Sequence, residues 1–441
     1  MVLNNLPTIL LPIVQAGYLE REFQNALRSR LGYRAIADRQ EFAIGIGETL
    51  TKTRAGLRAT ATTPLSGASN TNLDNGLTPG NGGVEQYTIT LNQYAATTDL
   101  NMVTSRVGIA SQFLLNAGIN GEQAMRTLDE LARAALFSPY FGGNTRMRTT
   151  LGSPGTTINV DDIRGFQQVF VNGVLTTTSN TNFLPVLVGS NTYNIGTVTA
   201  DGSNVSTTPG GISGTLQTVS GNITVADGTT GNAVIANNAS TIKRPNARAT
   251  AAALTASDTL SMAQVLDAVA ALRLNAVPTI DGVYNCYLDP LSARQLFSDA
   301  DFKQLFQGAT NGAQVFREGV VNQMLGVRFV TTNEAYVQTH PSITGAFIRR
   351  PIVCGQGALI EGDYAAIGYA DLQSTDSEVV MVDGVAMITR EPVDRLQQII
   401  AQSWSWIGGF AAPSDTTTTT STVPTATSSA FKRAVMIEHI G

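Results

Sequence analysis

Chemistry needs particular side chains at particular spacings, and this sequence offers few candidates. GIGETLTKT (45–53) has the glycines and the Lys52–Thr53 pair of a phosphate-binding loop. It lacks a glycine directly before the lysine, and the residues after Thr53 do not read as a helix, so no phosphate site is expected there. GQGALIEG (355–362) is a partial dinucleotide fingerprint, but it opens a turn and not a helix. Asp289, Asp299 and Asp301 stand close together in LDPLSARQLFSDADF, where a carboxylate pair or a metal ion could be imagined. Helix capping and a solvated turn explain them more simply. Gly-x-Ser-x-Gly and His-Glu-x-x-His arrangements are absent. No catalytic, cofactor-binding or metal-ligating residue is assigned, and an enzyme is not expected.

The remaining reactive residues read as structural. Cys286 and Cys354 can form neither a disulfide framework nor a cysteine-rich metal motif, and two small buried hydrophobes are expected. His340 and His439 lack ligand spacing. Asn204, Asn222 and Asn238 head glycosylation sequons, but three chance matches are expected in so Asn/Ser/Thr-rich a region. Trp404 and Trp406 alternate on a strand, one expected in the core and one facing a neighbour.

With 441 residues, two or three domains are expected. Hydrophobic residues make up 43% and charged residues only 14%, against roughly 25% charged in a typical soluble domain. Low charge over so long a chain implies that much of its surface meets protein. A net charge of −5 argues against a dedicated nucleic-acid binder. LPTILLPIVQAG (6–17) has the apolarity of a signal peptide, but no basic residue precedes it and Pro7 and Pro12 interrupt it, so it reads as an extended arm. No run reaches the roughly 18 apolar residues of a membrane helix.

Periodicity marks out the elements. QAGYLEREFQNALRSRL (15–31) reads as an amphipathic helix. EFAIGIGETLTKTR (41–54) and VEQYTITLNQY (84–94) read as the arms of a ribbon, with Tyr87, Ile89 and Leu91 in one apolar row. Arms of about 14 residues reach about 45 Å at roughly 3.3 Å per residue, so the row is expected to need a surface outside its own chain. INGEQAMRTLDELARAALFSPYF (119–141) reads as a helix capped by Asn120, with Gln123 at the capping-box position and Pro139 at its end. Residues 165–245 are nearly uncharged, dense in Thr, Ser, Gly and Asn, and read as a β-rich insertion. LSMAQVLDAVAALRLN (260–275) is a helix capped by Ser261, with Val265, Leu266, Val269 and Leu272 inward. In VYNCYLDPLSARQLFSD (283–299) a buried strand ends at the cap Asp289, and Pro290 opens the next helix. A Thr-rich linker (414–429) precedes a last strand, AFKRAVMIEHI (430–440).

This order of parts, with YNCYLDPLSARQLFSD, GVRFVTTNEAYV and REPVDRLQQIIAQSWSWIGGF, resembles the major capsid proteins of tailed bacteriophages, which share the Hong Kong 97-like fold. VDRLQQIIAQSWSWIGGF resembles the podovirus-type branch. The likeness covers roughly 15–410 and rests on structural positions without chemistry. It implies an α+β fold and this division: an N-terminal arm and short helix (1–40), an extended loop (41–100), a spine helix and peripheral domain (101–164), the β-rich insertion (165–245), an axial α/β domain (246–390), and C-terminal peripheral-domain strands with the Thr-rich linker (391–441).

The function so implied is mechanical: self-assembly into the icosahedral head of a phage virion, formed in the host cytoplasm. The expected partners are copies of the chain in hexamers and pentamers, a portal, scaffolding and decoration proteins, and packaged double-stranded DNA bound without sequence specificity. No cofactor and no membrane are expected. A cellular nanocompartment shell of the encapsulin type and a secreted β-rich adhesin are the alternatives. Lys52, Arg54 and Arg58 on the ribbon, with Glu122, Asp129 and Glu130 on the spine helix, are expected to set the register between subunits, while Tyr87, Ile89 and Leu91 supply most of the contact energy.

Overall fold

A computed structural model describes residues 18–27, 32–42, 49–55, 84–102, 109–171, 174–237, 239–240, 242–307, 323–364, 377–392, 394–413, 415–418, 421–423 and 433–441. The fold is mixed, with helices packed on three six-stranded sheets. The first sheet is organised by Ile399–Ala411. One edge of that strand pairs with Val385–Arg390, which pairs on with Ser377–Val382. Its other edge is shared end to end, by Asn92–Asn101 from Ile399 to Gly408 and by Leu359–Tyr364 from Gly408 to Ala411. Ala37–Phe42 closes that side, parallel to Leu359–Tyr364.

Across this sheet lies a 33-residue helix, Ile109–Phe141, about 50 Å long at 1.5 Å per residue. Its inner face is read off the buried positions Phe113, Ala117, Ala124, Leu128, Ala132 and Leu136, spaced at helical intervals. Trp404 and Trp406 are both buried in the same cluster. Residues two apart on a strand share a face, so neither tryptophan is left to meet a neighbour, contrary to the sequence expectation. The short helix Tyr18–Leu27 packs beside the long one, and Gly121 lets them meet: a Cβ there would stand 2.8 Å from that of Ala26.

The expected helix start at Asn120 is corrected. Asn120 is buried eleven residues inside the helix; its amide donates to the Gln402 carbonyl (3.0 Å) and accepts from Thr98 Oγ1 (2.8 Å). A capping box was present in the sequence, but packing on the sheet carries the helix through it.

The second sheet is antiparallel, in the order Asn144–Arg146, Ala233–Ala236, Leu184–Val188, Asn191–Ala200, Gly214–Thr218, Thr157–Val160. Leu184, Val186 and Val188 alternate inward with Ile158, Val160, Ile195 and Leu216. The insertion therefore starts near 144, not 165, because two strands upstream of the charge-poor stretch complete its sheet. Its ends are adjacent: Ala236 N–H donates to the Gly143 carbonyl at 2.8 Å.

The third sheet runs Ile242–Lys243, Ala434–Ile437, Ile352–Cys354, Tyr284–Leu288, Val327–Thr331, Gln323–Met324. Helix Met262–Leu274 buries Met262, Val265, Ala268, Val269 and Leu272 nearby, while Leu266 faces out, contrary to expectation. Asp299 accepts from Met262 N–H (2.8 Å) and so supports the start of that helix. The expected boundary at 390/391 is also corrected. Residues 359–364 and 377–390 belong to the first sheet, whereas Ala434–Ile437 crosses to the third. Alternating hydrophobicity announces a strand but does not say which sheet receives it.

Candidate functional site

Thr49–Ala55 and Val84–Thr90 pair antiparallel, from Thr49 with Thr90 to Ala55 with Val84. Tyr87, Ile89 and Leu91 form one row, as the alternation predicts, but they are buried against Ile360 and Ala411 of the first sheet. Gly409 allows the close approach: a Cβ there would collide with the Thr90 carbonyl oxygen. The expectation that these three residues meet another subunit is corrected. The seven paired residues of each arm reach only about 23 Å, so this part of the ribbon stays over its own sheet. Residues 56–83, with Arg58, lie outside the described residues.

The charges divide. Lys52 stands on the ribbon opposite Tyr87 and is half-buried; Arg54 stands opposite Glu85 in register. Glu122 and Glu130 are exposed on the long helix, and Glu130 accepts from Arg133 one turn on (3.3 Å). Asp129 is buried, contrary to its expected role, and accepts the Arg34 backbone N–H at 3.2 Å. The chain passes so closely over it at Gly32 that even a Cβ would collide with the carboxylate. Burial pushes the Asp129 carboxyl above its ordinary value.

Beside this crossing lies a groove of about 940 Å³ between the turn at Gly32–Ala35, the long helix and Arg328–Glu334. Arginine–carboxylate pairs line it: Arg34 to the buried Glu361 (2.6 Å), Arg39 to Asp383 (2.9 Å), and Arg126 to Glu334 (3.6 Å). Leu115 and Ile119, one turn apart on the long helix, are exposed, as is Tyr18 on the short helix.

No protein-family model matches this sequence, and no curated protein matches it. Among solved structures, the chain is similar to the capsid of Ralstonia phage GP4, at 12% identity and a TM-score of 0.47, covering 92% of this chain and 87% of that one. It is similar to the capsid of cyanophage P-SCSP1u, at 12% identity and a TM-score of 0.45, covering 91% and 86%. The capsid of cyanophage Pam1 matches at 12% identity and a TM-score of 0.43, covering 94% and 92%.

The structure also assembles a constellation that the sequence hid. Asp289 caps helix Pro290–Ser298 by accepting from the N–H groups of Leu291 and Ser292, as expected from the sequence, and also pairs with Arg349. Ser292 Oγ–H donates to Asp289 Oδ1, and His439 Nε2 lies 2.8 Å from Ser292 Oγ. The residue types are those of a nucleophilic triad, but the serine lies between acid and base, and Ser292 and His439 are both fully buried. This arrangement ties the last strand to a helix and offers no reaction centre. Burial pushes His439 down to about 4. No signal links His439 to Ser292 across 147 residues of sequence. Cys286 and Cys354 are free and buried; burial raises both thiols, Cys286 to about 12, so neither is a ready nucleophile. Among the described residues, no group of three or more His, Cys, Asp or Glu could hold a metal ion, and no helix is long and apolar enough to cross a membrane.

Proposed function

We propose that this chain is the major capsid protein of a tailed bacteriophage, with a Hong Kong 97-like fold. Copies of it tile as hexamers and pentamers into an icosahedral shell around double-stranded DNA. The observation that carries this reading is the arrangement of a short helix, a two-stranded ribbon and a 33-residue helix on one sheet, joined through an insertion to a separate α/β sheet. Those parts stand in the order that the sequence resemblance implies. A helix of about 50 Å is a strut, long beside the roughly 13 Å radius of gyration of a 100-residue domain. Its exposed Leu115 and Ile119, with Tyr18, offer apolar surface to a second copy.

Tiling is repeated contact that closes by symmetry. The ribbon beyond Ala55 and the charges Lys52, Arg54, Arg58, Glu122 and Glu130 belong to that contact in this reading. A net charge of −5 suits a container from which packed DNA must leave, because strong phosphate binding would hold it back. Portal, scaffolding and decoration proteins are the further partners, and the virion, assembled in the host cytoplasm, is the location. Expression with the neighbouring genes should give closed shells of hundreds of subunits in electron micrographs. A homogeneous monomer at high concentration in every condition tried would overturn the proposal.

A further inference from the structure

Where the insertion sheet meets the third sheet, a small cavity of about 50 Å³ is lined by Arg146, Asp161, Arg244, Arg350 and Glu438. These are the charged groups of its wall, three guanidiniums against two carboxylates, so one positive charge is in excess. Both carboxylates are already engaged. Glu438 accepts from Arg244 Nε (2.7 Å) on one oxygen and Arg350 Nε (2.9 Å) on the other. Asp161 accepts from the backbone and hydroxyl of Thr207, from the Thr208 hydroxyl, and faces Arg146 at 3.5 Å.

Arg350 is the group left incomplete. Its side chain is 2% exposed. Nε donates to Glu438, Nη2 donates to Gln338 Oε1, and the guanidinium lies 5.1 Å from the centre of the Phe141 ring. Nη1 is buried and has no hydrogen-bond partner. An unpaired donor on a buried cation is costly. A water molecule would satisfy that donor but leave the excess positive charge of the wall unbalanced. The volume admits a solute of one or a few atoms, since one water needs roughly 10–15 Å³ of such space. An excess of one charge selects a monovalent ion.

We propose that this cavity is a binding site for a small monovalent inorganic anion of halide size, held by Arg350 Nη1. The anion joins the insertion, through Arg146 and the Asp161–Thr207 turn, to the third sheet, through Arg350 and Glu438. The site is independent of the shell reading and stands or falls without it.

Thermal unfolding of the full chain in sodium chloride, sodium bromide and sodium gluconate at equal ionic strength tests it, because gluconate is too large to enter. A ligand that binds only the folded state raises the midpoint with its concentration. The midpoint should rise by roughly 2–4 °C in chloride or bromide over gluconate, and the rise should saturate. Gln338→Glu keeps the acceptor for Arg350 and places a fixed negative charge at the cavity. It should abolish the halide dependence and raise the midpoint in gluconate. Equal midpoints in all three salts for the wild type overturn the site, as does an undiminished halide effect in Gln338→Glu. If that variant does not fold, a bromide-soaked crystal of the wild type decides. An anomalous peak beside Arg350 Nη1 supports the site, and no peak at saturating bromide overturns it.

Discussion

The insertion sheet and the third sheet close themselves in opposite ways. In the insertion, each buried carboxylate is held by hydroxyls, amides, N–H groups or arginines that all belong to the same unit. Asp227 accepts from Ser190 N–H, Asn191, Tyr193 and Thr224, and Asp162 from Arg164 and Ile212 N–H. Around the third sheet, and in the three-stranded sheet Val337–Thr339, Phe347–Arg349, His439–Ile440 beside it, the partners come from far along the chain: Arg350 with Glu438, Arg349 with Asp289, Ser292 with His439. A unit closed by its own turns can be added or removed whole. One closed by the last residues of the chain exists only when those residues are in place.

The largest expected effect separates the two directly. Replacing 144–236 with a short Gly/Ser linker joins ends that already share the Ala236–Gly143 hydrogen bond. Circular dichroism should still show the helices of the remaining chain folded. Replacing only 191–240 should be worse, since it strips partners from Thr157–Val160 and Leu184–Val188 and exposes their apolar face. Removing 434–441, in contrast, takes a fully buried strand from between Ile242–Lys243 and Ile352–Cys354. The third sheet should then lose hydrogen-exchange protection throughout. Met436→Ala alone should cost about 2–5 kcal/mol. A chain without its last eight residues that keeps this protection would end the distinction.

Acid should take the two units apart in order. His439 is neutral when folded, pushed from 6.5 to about 4 by burial. The unfolded chain binds that proton more readily, so stability is full above about pH 6.5 and falls as the pH drops toward 4. The loss amounts to about 3 kcal/mol. Burial alone would raise Asp227, but hydrogen bonds from Asn191, Ser190, Tyr193 and Thr224 outweigh it and hold the carboxyl at about 2. Its contribution is intact above 3.8 and is lost only between there and about 2. Hydrogen exchange at pH 7, 5 and 3 should show the third sheet loosening first and the insertion last. His439→Gln should flatten the first phase, and simultaneous loss in both units would refute the ordering.

Legibility in the sequence divides along the same line. Features set within a few residues could be read: the Asp289–Pro290 helix start, the alternating row at Tyr87, Ile89 and Leu91, the charge-poor stretch of the insertion. Features set by distant chain could not. The Asn120 cap pattern is locally sound, yet the sheet residue Gln402 claims that amide. Asp129 is polar and sits in a charged helix turn, and only the passage of Gly32 buries it. Nothing in AFKRAVMIEHI distinguishes the first sheet from the third.

The ribbon carries the comparison to its smallest effect, since its apolar base is closed by its own sheet while its proposed partner beyond Ala55 is another subunit. With Asp129 buried, the electrostatic part of that contact rests on Lys52, Arg54 and Arg58 against Glu122 and Glu130. A surface ion pair is worth only about 0–1 kcal/mol, and Glu130 already shares its charge with Arg133. Reversing Arg54 and Arg58 to Glu should therefore leave the stability of the single chain within about 1 kcal/mol of the wild type. The proposed shell would repeat the contact at every interface, so the same reversal should slow its assembly at low salt, where screening is weak, and matter less as salt rises. Light scattering during assembly measures both. Adding Glu122→Lys and Glu130→Lys should restore part of the rate, because opposite charges again face each other. Assembly at the wild-type rate in low salt would remove the charges from the mechanism and leave apolar contact to set the register alone.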